Sequence, residues 1–393
     1  MRLADHWLLD PEVVFLNHGS FGACPRAVLD AQSRLRARME RQPLQFLARD
    51  LEGLLDEARA TLAAFVGADA ADLAFVSNVT SGVNAVLRSI PIRAGDEVLV
   101  TDQAYGACRN ALDFAAGRAG ATVRVAPVPF PLAGPDDVVE ALTAAVGPRT
   151  RLALLDHVSS PTGVVFPLAR LVAELGARGV DALVDGAHAP GMLPLDLRAI
   201  GAAYYAGNCH KWLCAPKGAA FLHVRRDRQA WVRPLTISHG ATSPRTDRSR
   251  FHLEFDWTGS DDPTAYLCVA ESIRFLGGLL PGGWPALMAA NHALALEARD
   301  LLAHALGVEP PAPDDMIGTL VALPLPDGPS AALQEALLGR FGIEVPIVPW
   351  PLPPGRLVRV SCQLYNALAQ YERLADALRE LGLAGHDRSS SKR

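Results

Sequence analysis

Runs of largely apolar residues at 73–76, 97–101, 122–128, 152–157, 182–184, 202–206 and 219–224 punctuate the first part of the chain. Between the first five of them lie stretches whose apolar positions follow helical spacing, at 83–90, 107–119, 135–146 and 167–178. Near-continuous apolar strands alternating with helices predict an α/β architecture: a mainly parallel sheet, of the seven-stranded kind, covered on both faces. Upstream, residues 27–39 and 46–66 carry helical periodicity that stops at Gly67. Residues 12–25 hold a short strand-like run that breaks into the loop Asn17-His18-Gly19-Ser20-Phe21-Gly22.

The pattern changes after Arg225. Residues 225–263 are polar, rich in arginine and read as loops. Helical stretches at 263–275, 287–306, 331–341 and 368–383 then enclose strand-like runs at 318–323, 343–348 and 357–361, which predicts a smaller α+β unit. The expected division is an N-terminal segment 1–25 packed near the small unit, a large domain 26–265, a small C-terminal domain 266–385 and a polar, serine-rich tail 386–393 expected to be disordered.

Composition narrows the class. With 393 residues and 50% hydrophobic content, the chain can bury a large core. A net charge of −5 offers no basic surface for nucleic acid or an anionic membrane. No run approaches the roughly 20 apolar residues that span a bilayer. Cysteines at 24, 108, 209, 214, 268 and 362 form no CxxC pair and no zinc-spaced cluster with histidine. No metal site is therefore expected, and the thiols read as those of a reduced, cytoplasmic protein.

Ligands of open parallel sheets bind beyond the carboxyl ends of the strands, so the residues after each strand carry the functional reading. Lys211 lies in Gly207-Asn208-Cys209-His210-Lys211-Trp212, between two apolar runs. A partly buried amine binds its proton less tightly and is suited to a Schiff base, although an isolated loop lysine is commoner. Asn78-Val79-Thr80-Ser81-Gly82 opens a helix and reads either as a phosphate site or as a plain cap. Tyr105 either stacks on a ring or is structural. The loop His157-Val158-Ser159-Ser160-Pro161-Thr162-Gly163 either bonds a ring hydroxyl or makes a turn. Asp185 either pairs with a pyridinium N–H or caps the next turn. Each signal is weak alone. In series, at successive strand ends, they supply what a pyridoxal 5′-phosphate site needs: phosphate donors, a stacking ring, a carboxylate and a lysine.

Several of these stretches also carry a family likeness. They are Leu16-Asn17-His18-Gly19-Ser20-Phe21-Gly22, Gly95-Asp96-Glu97-Val98-Leu99-Val100-Thr101-Asp102, the loop 157–163, Val184-Asp185-Gly186-Ala187-His188-Ala189-Pro190-Gly191, Tyr205-Ala206-Gly207-Asn208-Cys209-His210-Lys211-Trp212, and Arg359-Val360-Ser361 with Tyr365-Asn366. Through them the chain resembles the class V aminotransferase group of fold-type I pyridoxal-phosphate enzymes, in its isopenicillin N epimerase-like branch. The resemblance implies that Lys211 carries the cofactor and moves protons, that Asp185 meets the ring nitrogen and that Tyr105 covers the ring. It also implies that Ser160 and His188 lie near the ring hydroxyl, and that Val79, Thr80, Asn208 and His210 hold the phosphate. Arg359 would bind the substrate carboxylate, with Asn17 and His18 beside it. Thr258, Gly259 and Ser260 would reach the phosphate of a second subunit, implying a homodimer with the site at its interface.

For the reaction, epimerisation at Cα is the leading expectation. It needs a second proton carrier opposite Lys211, for which Tyr105 or His18 are candidates. A C–S lyase acting on a cysteine conjugate is the alternative, and an aminotransferase the third. A persulfide-forming desulfurase is disfavoured, because residues 342–348, where that chemistry places its cysteine, have none. Arg245, Arg248 and Arg250 either recognise a distal anionic group of the substrate or form a solvated loop or subunit contact.

Overall fold

The computed structural model describes residues 2–383, and the tail expected at 386–393 lies outside them; after a short 3-10 turn at Leu3–His6, its first strand is the two-residue β1 (Val14–Phe15). Seven strands follow: β2 (Leu73–Val76), β3 (Glu97–Thr101), β4 (Thr122–Ala126), β5 (Thr150–Asp156), β6 (Asp181–Asp185), β7 (Tyr204–Asn208) and β8 (Ala220–Val224). They form one sheet in the order β2-β8-β7-β6-β5-β3-β4. Contacts among β4, β3, β5, β6 and β7 are parallel, and only β8 runs against its neighbours. The carboxyl ends of β2, β3, β5, β6 and β7 therefore share one edge. Strands β2, β3, β7 and β8 are buried along their whole length, as helices on both faces require. Strand β4 is half exposed, because it is the sheet's outer edge.

The helix Val79–Ser89 lies close over this edge. A Cβ at its Gly82 would stand 3.1 Å from the Ala206 Cβ, so glycine lets the helix start press against β7. Downstream, β9 (Leu320–Leu325) and β12 (Arg356–Ser361) pair antiparallel, with β11 (Ile347–Pro349) on the far side of β12. The short β10 (Ile343–Glu344) pairs instead with β1, so the run expected at 343–348 is split between two sheets. The N-terminal segment is stitched to these C-terminal strands: the Ser361 amide donates to the Leu16 carbonyl, and the Gly19 amide to the Ser361 hydroxyl. No helix among the described residues is long and apolar enough to cross a membrane.

Residues 225–263 are more ordered than their polarity predicts. A helix spans Arg250–Phe255, and the arginines are tied down by carboxylates of the same chain. Arg248 bridges Asp56 and Asp256, Arg245 bridges Glu52 and Asp247, and Arg250 meets Glu254. Asp256 also meets Arg59, whose side chain is 2% exposed. This network fastens the segment to the helix Leu51–Val66, so the cluster is structural and leaves no free guanidinium for a distal anion. Asp256→Ala strips a shared carboxylate from two arginines, one fully buried, and should destabilise the protein by about 3–5 kcal/mol in urea unfolding. A loss under about 1 kcal/mol would show the network to be surface decoration.

Candidate active site

Three strand ends and two loops from distant parts of the chain converge on Lys211. It stands in a turn after β7, and the turn is held tightly: the Cys209 and His210 amides donate to the Ala219 carbonyl, and the Cys214 amide to the Lys211 carbonyl. Cys214 has φ 55°, a left-handed conformation that costs a non-glycine residue about 1 kcal/mol or more. The N-terminal loop lies directly on this turn. A Cβ on Gly22 would come within 2.7 Å of the Lys211 Cα.

The Lys211 Nζ is 3.2 Å from His188 Nε2. Burial is the main reason its pKa falls from 10.5 to about 8, with the negative Asp185 opposing and the positive Arg359 adding to the fall. A substantial fraction of the amine is thus unprotonated and nucleophilic near neutral pH.

Asp185 closes β6 and is 4% exposed. Its Oδ1 accepts from the Ala187 amide at 3.0 Å, and its Oδ2 accepts from the Cys108 thiol at 3.1 Å. The turn-capping role is therefore real, yet it leaves the charge without a cationic partner: no salt bridge among the described residues includes Asp185. Burying an unpaired carboxylate is costly, and a pyridinium N–H is a fitting complement. Asp156 sits in register beside it on β5, and burial together with the Asp185 charge raises the Asp156 pKa well above the usual carboxylate range. Two carboxylates side by side in the interior disfavour each other's ionisation, and Asp156 is the one whose proton is held more tightly.

At the start of the helix Val79–Ser89, the Asn78 Oδ1 accepts from the Ser81 amide at 2.8 Å, so Asn78 is an N-cap. The Val79 amide donates to Asn208 Oδ1 at 3.0 Å, which joins β7 to the helix start and leaves only the Asn208 NH2 to face an anion. Thr80, partly exposed, offers its amide and hydroxyl at the same positive helix end. His210 Nδ1 donates to the Ala219 carbonyl at 2.8 Å, and burial lowers the ring's pKa to about 4. Its Nε2 therefore presents a lone pair and can donate to a phosphate only after taking a proton, which the anion itself would favour.

Arg359, on β12, is buried and meets no carboxylate among the described residues. It donates to the Ser160 carbonyl and, at 3.0 Å, to the Ser20 hydroxyl; its Nε is buried without a partner. A guanidinium enclosed without a counter-charge suits a ligand carboxylate. Tyr105, half exposed at the start of the helix Gly106–Ala119, lies close enough to Arg359 to influence it electrostatically.

Two expected residues stand elsewhere. His18 is fully buried beneath the turn: its Nδ1 is 2.7 Å from the Tyr365 hydroxyl, its Nε2 3.0 Å from the Lys211 carbonyl, and burial lowers its pKa to about 3. Both nitrogens are occupied, so His18 neither reaches a substrate nor carries a proton to it; it braces the Lys211 backbone. Asn17 donates to Glu344 at 3.1 Å, while its Oδ1 is buried without a partner. Thr258 and Gly259 line a cavity of about 250 Å³ together with Ser77 and Ser81 of their own chain. Sequence reasoning passed over Cys108, Ser20 and Trp212. Cys108 lies three residues after Tyr105, on the same helical face, and Ser20 two residues after His18, so local signals existed for both.

The arrangement fits pyridoxal phosphate: a helix start for the phosphate, an uncompensated carboxylate for the ring nitrogen and an activated lysine. Comparisons with known proteins agree with it. The aminotransferase class-V family model matches residues 16–345. Isopenicillin N epimerase of Amycolatopsis lactamdurans is 43% identical over 390 residues, 95% of this chain and 96% of that protein. A putative L-cysteine desulfhydrase of Oryza sativa subsp. japonica is 34% identical over 94% of this chain and 83% of that protein. Among solved structures, the cystine C–S lyase C-DES superposes with a TM-score of 0.81 at 24% identity, covering 94% of this chain and 97% of that one, which speaks to the fold.

Proposed function

The chain belongs to the aminotransferase class-V family, and from that premise we propose that it is a pyridoxal-phosphate enzyme that inverts Cα of an amino-acid substrate, in the manner of an isopenicillin N epimerase. The observation that carries the choice of reaction is the 43% identity to such an epimerase across nearly the whole of both chains, against 34% to a desulfhydrase.

When bound, pyridoxal 5′-phosphate supplies a carbonyl that takes up amines and a protonated ring that draws electrons from Cα. Everything else is the work of side chains. Thr80, Asn208 and His210 hold the phosphate, and Val79, whose amide is taken by Asn208, ties the helix start to β7. Asp185 faces the ring nitrogen, Tyr105 covers the ring, and Ser160 and His188 attend its hydroxyl. Lys211 binds the cofactor and afterwards moves the Cα proton on its own face. Arg359 fixes the substrate carboxylate and hence the orientation of Cα, while Asn17, committed to Glu344, holds the N-terminal loop beside it. With His18 withdrawn below the turn, Tyr105 is the group left for the opposite face. The reading includes a homodimer in which Thr258, Gly259 and Ser260 approach the partner's phosphate, and a cytoplasmic location. Sedimentation at micromolar concentration tests the first.

A C–S lyase is the second reading, favoured by the desulfhydrase likeness and by chemistry that needs only Lys211 as its base. Persulfide-forming desulfuration is disfavoured, since all six cysteines are buried and burial raises the pKa of every thiol. Incubation in deuterated water with isopenicillin N, L-cysteine and a panel of amino acids separates the readings. Inverted product carrying solvent deuterium at Cα is the expected result. Pyruvate with ammonia would replace it with the lyase, and a cofactor left in its amine form with an aminotransferase.

A further inference from the structure

Lys211 and His188 are not alone in their contact. Trp212, next to Lys211 and 1% exposed, points its indole nitrogen at the other side of the same imidazole, with Nε1 3.3 Å from His188 Nδ1. An indole N–H donates and never accepts, so Nδ1 must present its lone pair. A neutral imidazole with a bare Nδ1 carries its hydrogen on Nε2, which is the atom 3.2 Å from Lys211 Nζ. Two hydrogens cannot meet across that contact, so the lysine must accept there with its own lone pair. The chain from donor-only indole to imidazole to amine has one consistent arrangement.

We propose that Trp212 is a positioning residue for the reaction: its indole N–H locks His188 as the Nε2–H tautomer, and His188 in turn favours the free amine of Lys211 over the ammonium. The inference rests on Lys211 being the cofactor-binding lysine. It is independent of whether the product is an epimer or an eliminated thiol.

The surroundings set the background on which this relay acts. Asp185 at the end of β6 favours the ammonium form of Lys211, while Arg359 on β12 opposes it; Cys108, on the helix Gly106–Ala119, stays a thiol. His18 in the N-terminal loop and His210 on the lysine's own turn are both driven neutral by burial, and the Lys217 cation adds to the fall of each. Burial likewise pushes His188 well below its ordinary value, and the charges of Lys211 and Arg359 add to that push, so the ring stays neutral and its tautomer is the variable. The Trp212 ring also packs against His18, with centroids 4.8 Å apart. A phenylalanine keeps an aromatic ring in that place while removing the donor.

The test is the titration of Lys211 in apoenzyme, followed by competitive acetylation with acetic anhydride and peptide mass analysis. Wild type should show a midpoint near 8. In Trp212→Phe the imidazole is free to move its hydrogen to Nδ1 and accept from an ammonium, so the midpoint should rise by about one pH unit. In a His188→Phe background the same Trp212→Phe change should shift nothing, since the imidazole carries the effect. An unmoved midpoint in Trp212→Phe, or an equal rise without His188, overturns the proposal. Nitrogen-15 spectra of histidine-labelled wild-type protein test the tautomer without any variant: a protonated Nε2 with a bare Nδ1 at His188 supports the proposal, and the reverse tautomer overturns it. Cofactor binding separates this from a failure of the underlying reading. If the visible band of the loaded protein survives in Lys211→Ala, the lysine assignment itself falls; if it vanishes there while Trp212→Phe titrates like wild type, only the relay falls.

Discussion

Lys211→Ala should abolish the visible absorption of the cofactor-loaded protein and lower kcat by roughly four orders of magnitude or more, because Lys217, the other lysine among the described residues, is tied to the Gly22 carbonyl. A variant that still shows the band, or that keeps a tenth of the wild-type rate, would move the chemistry elsewhere. The same amine gives apoenzyme a pH-dependent stability whose sign is fixed. In the unfolded chain Lys211 binds its proton with the ordinary lysine pKa, 10.5, whereas burial lowers it in the folded chain to about 8. Between those values the unfolded state holds the extra proton, so folding becomes more favourable as pH rises through the window. Below about 8 the penalty is fully present, on the order of 3 kcal/mol. Lys211→Met removes it. The apo variant should outlast wild type in urea at neutral pH, and the difference should fade above pH 10.5. Equal midpoints at neutral pH would show that the buried amine is no burden to the fold.

Most of the strands were legible because a strand buried on both faces must be apolar throughout, as in Leu73–Val76. Polar residues placed just beyond such strands stand out against that background, which is why Asp185, Lys211 and the segment 78–82 could be found from order alone. Residues 225–263 misled because a polar stretch reads as loop, whereas here the polarity is consumed in pairing: the carboxylates that bind Arg248 and Arg245 lie some two hundred positions away, at Asp56 and Glu52. His18 misled for a related reason. A histidine in a glycine-flanked loop reads as reactive, but the loop lies over the lysine turn, and both ring nitrogens are occupied by Tyr365 and the Lys211 carbonyl. Trp212 was visible only as an apolar neighbour, since its donor matters solely through an imidazole 24 positions away.

Arg359→Leu should lower kcat/KM for α-amino acids by about 10²–10³-fold, the effect of removing one member of a buried, hydrogen-bonded charge pair. Burial lowers the Arg359 pKa to about 10, so the guanidinium is charged at neutral pH while its hydrogens go to neutral acceptors, the carbonyl and hydroxyl of Ser160 and the Ser20 hydroxyl. Its burial is compensated only when a substrate carboxylate arrives. Two consequences separate this from a structural arginine. Primary amines and amino amides, which bring no carboxylate, should react with Arg359→Leu nearly as they do with wild type. Apoenzyme should lose no stability, because the change removes an uncompensated charge along with its hydrogen bonds to Ser160 and Ser20. Should Arg359→Leu instead unfold more easily and lose activity toward amines and amino acids alike, the residue would be holding β12 to the loop at Ser160, and the substrate's anchor would have to be sought at another donor on the site's rim.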